Sequence, residues 1–246
     1  MPWQYVINLS GVPIPCRFQY IQNVQLCKKF IMRQYDGLDA VGVAEIERQI
    51  YHKAYPNDRW NYKTESKALV GVVSDELLLY NRMIFHSVAV LWHKKAWLIS
   101  APSGTGKTTQ YKNLKQLYEE EIQIICGDNP ILHFQENGTI MVFPSPWNWK
   151  ERFCGDEVAP LAGIIYLAQG KEDIIERLSP GDAVVPVFHE INTYARTTEL
   201  VNQLFKLEEK MITSVPIWRF ENTGTKDSSR ILMQCMKQYE GTEEIL

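Results

Sequence analysis

Apolar and polar positions alternate with different periods along the chain, and the change of period marks the elements. Tyr5–Leu9 reads as a short strand followed by a turn at Ser10-Gly11-Val12-Pro13. Cys27–Tyr35 is apolar-rich and predicts a strand, Ala44–Tyr55 suits a helix or a strand, and Asp75–Met83 predicts a short helix. From Phe85 onward the pattern is sharper. Ser87–Trp92 and Ala96–Ser100 are apolar β-rich runs around His93-Lys94-Lys95, a hairpin signature. Lys107–Tyr118 then places Tyr111, Leu114, Leu117 and Tyr118 at helical spacing. Ile122–Cys126 is a buried-type strand, and Ile131–Gln135 with Thr139–Phe143 flank an Asn-Gly turn. Leu161–Leu167 predicts a strand, Thr198–Met211 a helix, Val215–Phe220 a strand and Ser228–Tyr239 an amphipathic helix. Strands interleaved with helices imply an α/β layered core.

Composition narrows the class. The chain has 246 residues, 45% hydrophobic and 22% charged, which fits a globular protein and excludes a disordered or collagen-like chain. Its net charge of −3 argues against a bulk nucleic-acid binder. No apolar stretch reaches the ~18 residues needed to cross a bilayer, and Met1–Tyr5 has no basic region leading into an apolar run. The expectation is a cytoplasmic protein with no membrane partner. Five cysteines without a C-x-x-C pair predict neither a disulfide framework nor a zinc site.

The strongest chemical signal is Pro102-Ser103-Gly104-Thr105-Gly106-Lys107-Thr108-Thr109 between a strand and a helix. It meets the phosphate-binding pattern G-x-x-x-x-G-K-[ST] except that Ala101 stands at the first glycine. Gly104 and Gly106 permit backbone conformations in which amides approach phosphate oxygens. The helix N-terminus adds partial positive charge. Lys107 offers an ammonium to the outer phosphates and Thr108 a hydroxyl to Mg²⁺. Ser103, Thr105 and Thr109 complete the predicted loop for a nucleoside triphosphate. Asp128, at the end of the next apolar strand, stands where a carboxylate can order the metal. Pairing across a hairpin centred on Lys94 sets His86 opposite Pro102 to within one or two residues, beside the loop, with a structural histidine as the alternative.

The run from His86 through Thr109 resembles the HPr serine kinase family, which shares its core fold with ATP-dependent phosphoenolpyruvate carboxykinase. Ile125–Leu132 is similar to that family's acidic strand-end motif. Phe143–Lys150 looks like a Pro-Trp-x-x-Lys segment of HPr-kinase-like bacterial proteins, and Val158–Leu167 like the strand that follows. The resemblance covers about His86 to Phe220. It implies an α/β P-loop core with a mixed β-sheet of the HPr kinase type over 83–246, and a small α+β accessory or substrate-recognition region over 1–82. It implies ATP-dependent phosphorylation of a hydroxyl, serine of a peptide or protein, with ATP and Mg²⁺ as cofactors. A ribosomally made precursor peptide is one implied acceptor, and a homo-oligomer an implied state. His86 and Asp128 match the family's catalytic positions, joined by Lys107, with Thr108 and Asp128 as metal ligands. Better-known members carry two adjacent acids, whereas Gly127 and Asn129 flank Asp128 here. A nucleotide-binding pseudokinase and a kinase of a small-molecule alcohol therefore stay open. Lys150 and Arg152, near Trp147 and Trp149, are candidates for substrate contact, with a solvated basic pair as the alternative.

Overall fold

The computed structural model describes residues 3–33, 51–53, 55–148 and 153–243. It has a mixed α/β architecture built around one large mixed β-sheet.

The chain opens with an antiparallel hairpin, β1 (Trp3–Leu9) and β2 (Val12–Phe18), in which Ile7 faces Ile14. Ser10 and Gly11 both have positive φ, 50° and 86°, the geometry of a two-residue hairpin turn. Val12 and Pro13 thus belong to β2 rather than to the predicted turn. Where the sequence pattern predicts a strand from Cys27, the chain instead forms a helix, α1 (Ile21–Cys27), and a short 3-10 turn (Lys28–Phe30). Val24 and Cys27 lie one helical turn apart and both are buried, so Cys27 closes a helix face. Most of the predicted 44–55 element lies outside the described residues.

The largest departure is α2 (Tyr62–Leu78), predicted only as a short helix near its end. Asn61 caps it by accepting from the Lys63 and Thr64 amides, while the Thr64 hydroxyl accepts from the Asn61 amide. Nearly all of α2 from Thr64 onward is buried, on every face, so the apolar positions carry no 3.6-residue period to read. Its Leu69 and Val73 join Ile7, Leu9 and Phe18 in one core cluster that also takes in Ile84, Ile131 and Trp147.

β3 (Arg82–Phe85), β4 (Ser87–Trp92) and β5 (Lys95–Ser100) follow. β4 and β5 form the predicted hairpin around His93-Lys94, with Ser87 opposite Ser100. The register is one residue from a pairing centred on Lys94, within the slip of one or two expected, and sets His86 level with Ala101. α3 (Lys107–Leu117), β6 (Gln123–Cys126), β7 (Ile131–Phe134) and β8 (Ile140–Phe143) come next. The long strand β9 (Ala159–Gln169) joins the sheet together: it runs parallel to β5 and to β12 (Ile217–Asn222), and its first residues pair antiparallel with β8. β10 (Ile174–Arg177), α4 (Pro180–His189) and β11 (Ile191–Asn192) have no counterpart in the predicted elements. Pro186 inside α4 and its β-branched Val184, Val185 and Val187 hide a helix that Ser179 caps. α5 (Thr198–Ser214) and α6 (Lys226–Glu243) extend the two predicted late helices.

Helices cover both sheet faces. Tyr111 and Leu114 of α3 and Leu232, Met233 and Met236 of α6 pack with Val88, Val90 and Ile99. Leu200, Leu204, Leu207 and Met211 of α5 fill the other face with Ala89, Leu98 and Ile164. Each such fully buried side chain contributes about 1.5–3 kcal/mol. The result is a platform in which β5 and β6 flank β4, each pairing with it antiparallel.

Candidate functional site

The loop after β5 is held at its root and open at its crown. Ala101 is fully buried and its φ is not positive, so alanine fits where the usual pattern has glycine. The Thr105 amide and hydroxyl both donate to the Pro102 carbonyl, at 3.3 and 2.9 Å. Gly104 and Gly106 take φ of 89° and 112°, a region that L side chains rarely adopt. A Cβ at either would meet nothing within 4 Å, so the crown faces open space. α3 starts at Lys107 with no side-chain cap on its N-terminus and no acid in its first turn. That leaves the positive end of the helix uncompensated by its own residues. The Lys107 ammonium is largely buried and donates to the Ala101 carbonyl, closing the loop across its base.

β6 delivers Asp128 to the same place. The Gly127 amide donates to the Phe153 carbonyl at 2.7 Å, and a Cβ there would meet that oxygen at 3.0 Å. Glycine therefore lets the strand end turn close under residue 153. Asn129 cannot act as a second acid. Its Nδ2 donates to the Trp147 carbonyl at 3.0 Å and its Oδ1 accepts from Asn192 at 2.8 Å, so it knits the strand end to its neighbours.

His86 lies in the break between β3 and β4. Its Nε2 is 3.5 Å from Asp128 Oδ1, and its Nδ1 is 2.6 Å from Glu190 Oε2. Glu190 has only 3% of its side chain exposed, and its carbonyl accepts from the His86 amide at 2.7 Å. The imidazole is thus seated between two carboxylates. A proton on Nδ1 is donated to Glu190, and Nε2 faces Asp128 at ion-pair distance. Glu190 has no motif around it. It reaches His86 because β11 pairs with β3, Ile191 opposite Phe85, across more than a hundred residues of sequence.

His86, Ser103, Gly104, Gly106, Lys107, Thr108, Thr109, Gly127 and Asp128 line one cavity of about 190 Å³. Thr105 lies in the loop but does not line it. Lys150 and Arg152, along with Trp149, lie outside the described residues. A second, larger cleft shares His86, Ser103 and Asp128 with this cavity and also takes in Glu190. Below the site Cys126 is fully buried, and desolvation pushes its thiol up to about 11. It is therefore held as an inert thiol, in line with five free cysteines. Among the described residues, no group of three or more His, Cys, Asp or Glu gathers to hold a metal by itself. Nor is any helix among them long and apolar enough to cross a membrane.

No family model matches the sequence, and the comparison with curated proteins found no match. Among solved structures, the HPr(Ser) kinase/phosphatase from Coxiella burnetii superposes with a TM-score of 0.37 at 11% identity, over 65% of this chain and 97% of that one. A superposition of that quality leaves the site to be read from its own residues.

Proposed function

We propose that the chain is an ATP-dependent kinase of the HPr-kinase-like P-loop type that transfers a γ-phosphoryl group to a hydroxyl, serine of a peptide or protein. The observation that carries this reading is a single cavity lined by Ser103, Gly104, Gly106, Lys107, Thr108 and Thr109 of the loop together with His86 and Asp128. The first set suits a polyphosphate and the second an acceptor hydroxyl. In this reading residues 1–82 serve as an accessory region and 83–246 as the nucleotide-binding domain.

The residues fit the two absent groups. The open crown over Gly104 and Gly106 leaves room for phosphate oxygens, and the positive φ of both residues disfavours any side chain there. Mg²⁺ keeps most of its shell as water and phosphate oxygen and needs only one or two protein ligands, so a closed cage is not required. Thr108 and Asp128 would hold it, and when bound it supplies charge neutralisation at the phosphoryl oxygens.

The chain's own residues do the rest. The loop amides and Lys107 fix the triphosphate, so transfer becomes a matter of position. Asp128 accepts the proton of the attacking hydroxyl as its oxygen bonds to phosphorus and the bond to the bridging oxygen breaks. His86 orients that carboxylate, and Glu190 orients His86. Glu190 also bears on the rival reading, a nucleotide-binding module that transfers nothing. That rival draws on the single acid of the Gly127-Asp128-Asn129 strand end, and Glu190 brings a second carboxylate to the site from a distant part of the chain.

The test is Mg-ATP with serine peptides, followed by mass measurement of the products. Asp128→Asn should bind nucleotide and lose transfer by about 10²- to 10⁴-fold, the usual contribution of a general base. Near-normal transfer in that variant removes Asp128 from the mechanism. Nucleotide binding without any phosphorylated product in the wild type favours the regulatory module.

A further inference from the structure

The acceptor side of the site is larger than a hydroxyl needs. The second cleft has a volume of about 1040 Å³. That is at the upper end of the roughly 300–1,000 Å³ found for drug-sized ligands. A small alcohol would leave most of it empty. One wall is the N-terminal layer, with Gln22 and Gln25 on α1 and Lys63 and Lys67 at the start of α2. The core supplies the rest of the lining, including Asp128 and Glu190. Lys29 ties the two together, since its ammonium pairs with Asp156 and donates to the Gly155 carbonyl at 2.7 Å.

Among the described residues that line the cleft, Lys29, Lys63 and Lys67 stand against two acids, Asp128 and Glu190, and both acids turn to His86. Glu65, between the two α2 lysines in sequence, is buried away from the cleft, where it accepts from the Gln19 and Tyr20 amides and from Asn23. Lys63 and Lys67 are spaced by one helical turn, so they share a face. Both are exposed and neither has an ion pair among the described residues. Gln22 and Gln25 are exposed beside them, with amides that can pair with an extended backbone.

We propose that this cleft is the channel for the phosphoryl acceptor, and that it takes an extended acidic peptide segment whose serine is delivered to Asp128. The proposal rests on the kinase reading for the fate of the serine, but peptide binding is measurable without any chemistry. The lysines attract the acidic side chains, the amides of α1 hold the backbone, and the shared residues His86, Ser103 and Asp128 mark where the peptide meets the phosphate cavity.

The experiment is fluorescence anisotropy on the full chain with two labelled peptides, each with one central serine, flanked by Asp and Glu in one and by Lys and Arg in the other. The acidic peptide should bind at least about tenfold more tightly at low salt and weaken as salt is raised. The Lys63→Glu/Lys67→Glu variant should lose that preference. Lys171→Glu, an exposed charge change outside the cleft, should bind as the wild type does. Circular dichroism of each variant reports folding. Equal affinity for the two peptides, undiminished binding by the Lys63→Glu/Lys67→Glu variant, or displacement of the peptide by a non-hydrolysable ATP analogue each overturns the proposal. The last outcome would assign the cleft to the nucleoside. Selective binding of the acidic peptide without its phosphorylation keeps the peptide channel and removes the kinase reading instead.

Discussion

Replacing Glu190 by glutamine separates its charge from its shape. Glu190 holds His86 twice, by its carbonyl to the His86 amide and by its carboxylate to Nδ1 at 2.6 Å. The substitution leaves the backbone link and the side-chain volume, and removes only the negative charge. A hydrogen bond to a charged group contributes about 1.5–3 kcal/mol and a neutral one about 0.5–1.5 kcal/mol. The difference, about 1–1.5 kcal/mol, corresponds to about a 5- to 13-fold loss of rate at 1.36 kcal/mol per tenfold. Glu190→Ala loses the partner outright, and about 10- to 150-fold is expected. Glu190 does not line the cavity at the loop, so in the proposed reading ATP affinity should hold in both variants. Rapid-quench transfer from labelled ATP to an accepted peptide measures the rate, and calorimetry the affinity. Glu190→Gln transferring at the wild-type rate would refute the role of Glu190 in orienting His86. So would a loss of ATP affinity as large as the loss of rate.

Other outcomes follow from the packing. Glu208 on α5 is buried, one of its carboxylate oxygens has no hydrogen-bond partner, and desolvation raises its pKa. An acid whose folded pKa is raised costs stability once ionised. Glu208→Met should therefore raise Tm near neutral pH, by about 2–4 °C for each 1 kcal/mol regained, and the gain should vanish below the unfolded value near about 4.3. A gain that grows as pH falls would contradict this assignment. At Gly163 on β9 a Cβ would lie 2.6 Å from the Trp97 ring and 2.8 Å from that of Trp218. Gly163→Ala should cost about 1–3 kcal/mol in denaturant titrations, and an unchanged midpoint would show that the two rings yield freely. Asn61→Ala removes the cap of α2 and should cost about 1 kcal/mol by the same measurement.

How much of this could be read from sequence depended on distance along the chain. The β4–β5 hairpin, the loop and α3 are contiguous, and local spacing alone sets their order. Asp128 was legible because a strand end after a P-loop helix is a short-range inference. α2 was not, because a helix buried on all sides loses its amphipathic period. Glu190 was out of reach for a different reason. Its partner stands 104 positions earlier, and only the pairing of β11 with β3 brings the two together. The acid that follows a helix-terminal His189 carried no pattern by which to find it. The cleft behind Lys63 and Lys67 was hidden in the same way, since it exists only once the N-terminal layer has docked on the core.

The most direct test of the nucleotide site is calorimetric titration of Mg-ATP into the wild type and Lys107→Ala. Lys107 makes the bond that closes the loop on Ala101, and in the proposed reading it also supplies the ammonium for the phosphates. Saturable binding by the wild type, weakened at least about tenfold in the folded variant, is the predicted result. Equal affinity in the two proteins, or no binding by the wild type, would contradict a triphosphate site at Pro102–Thr109.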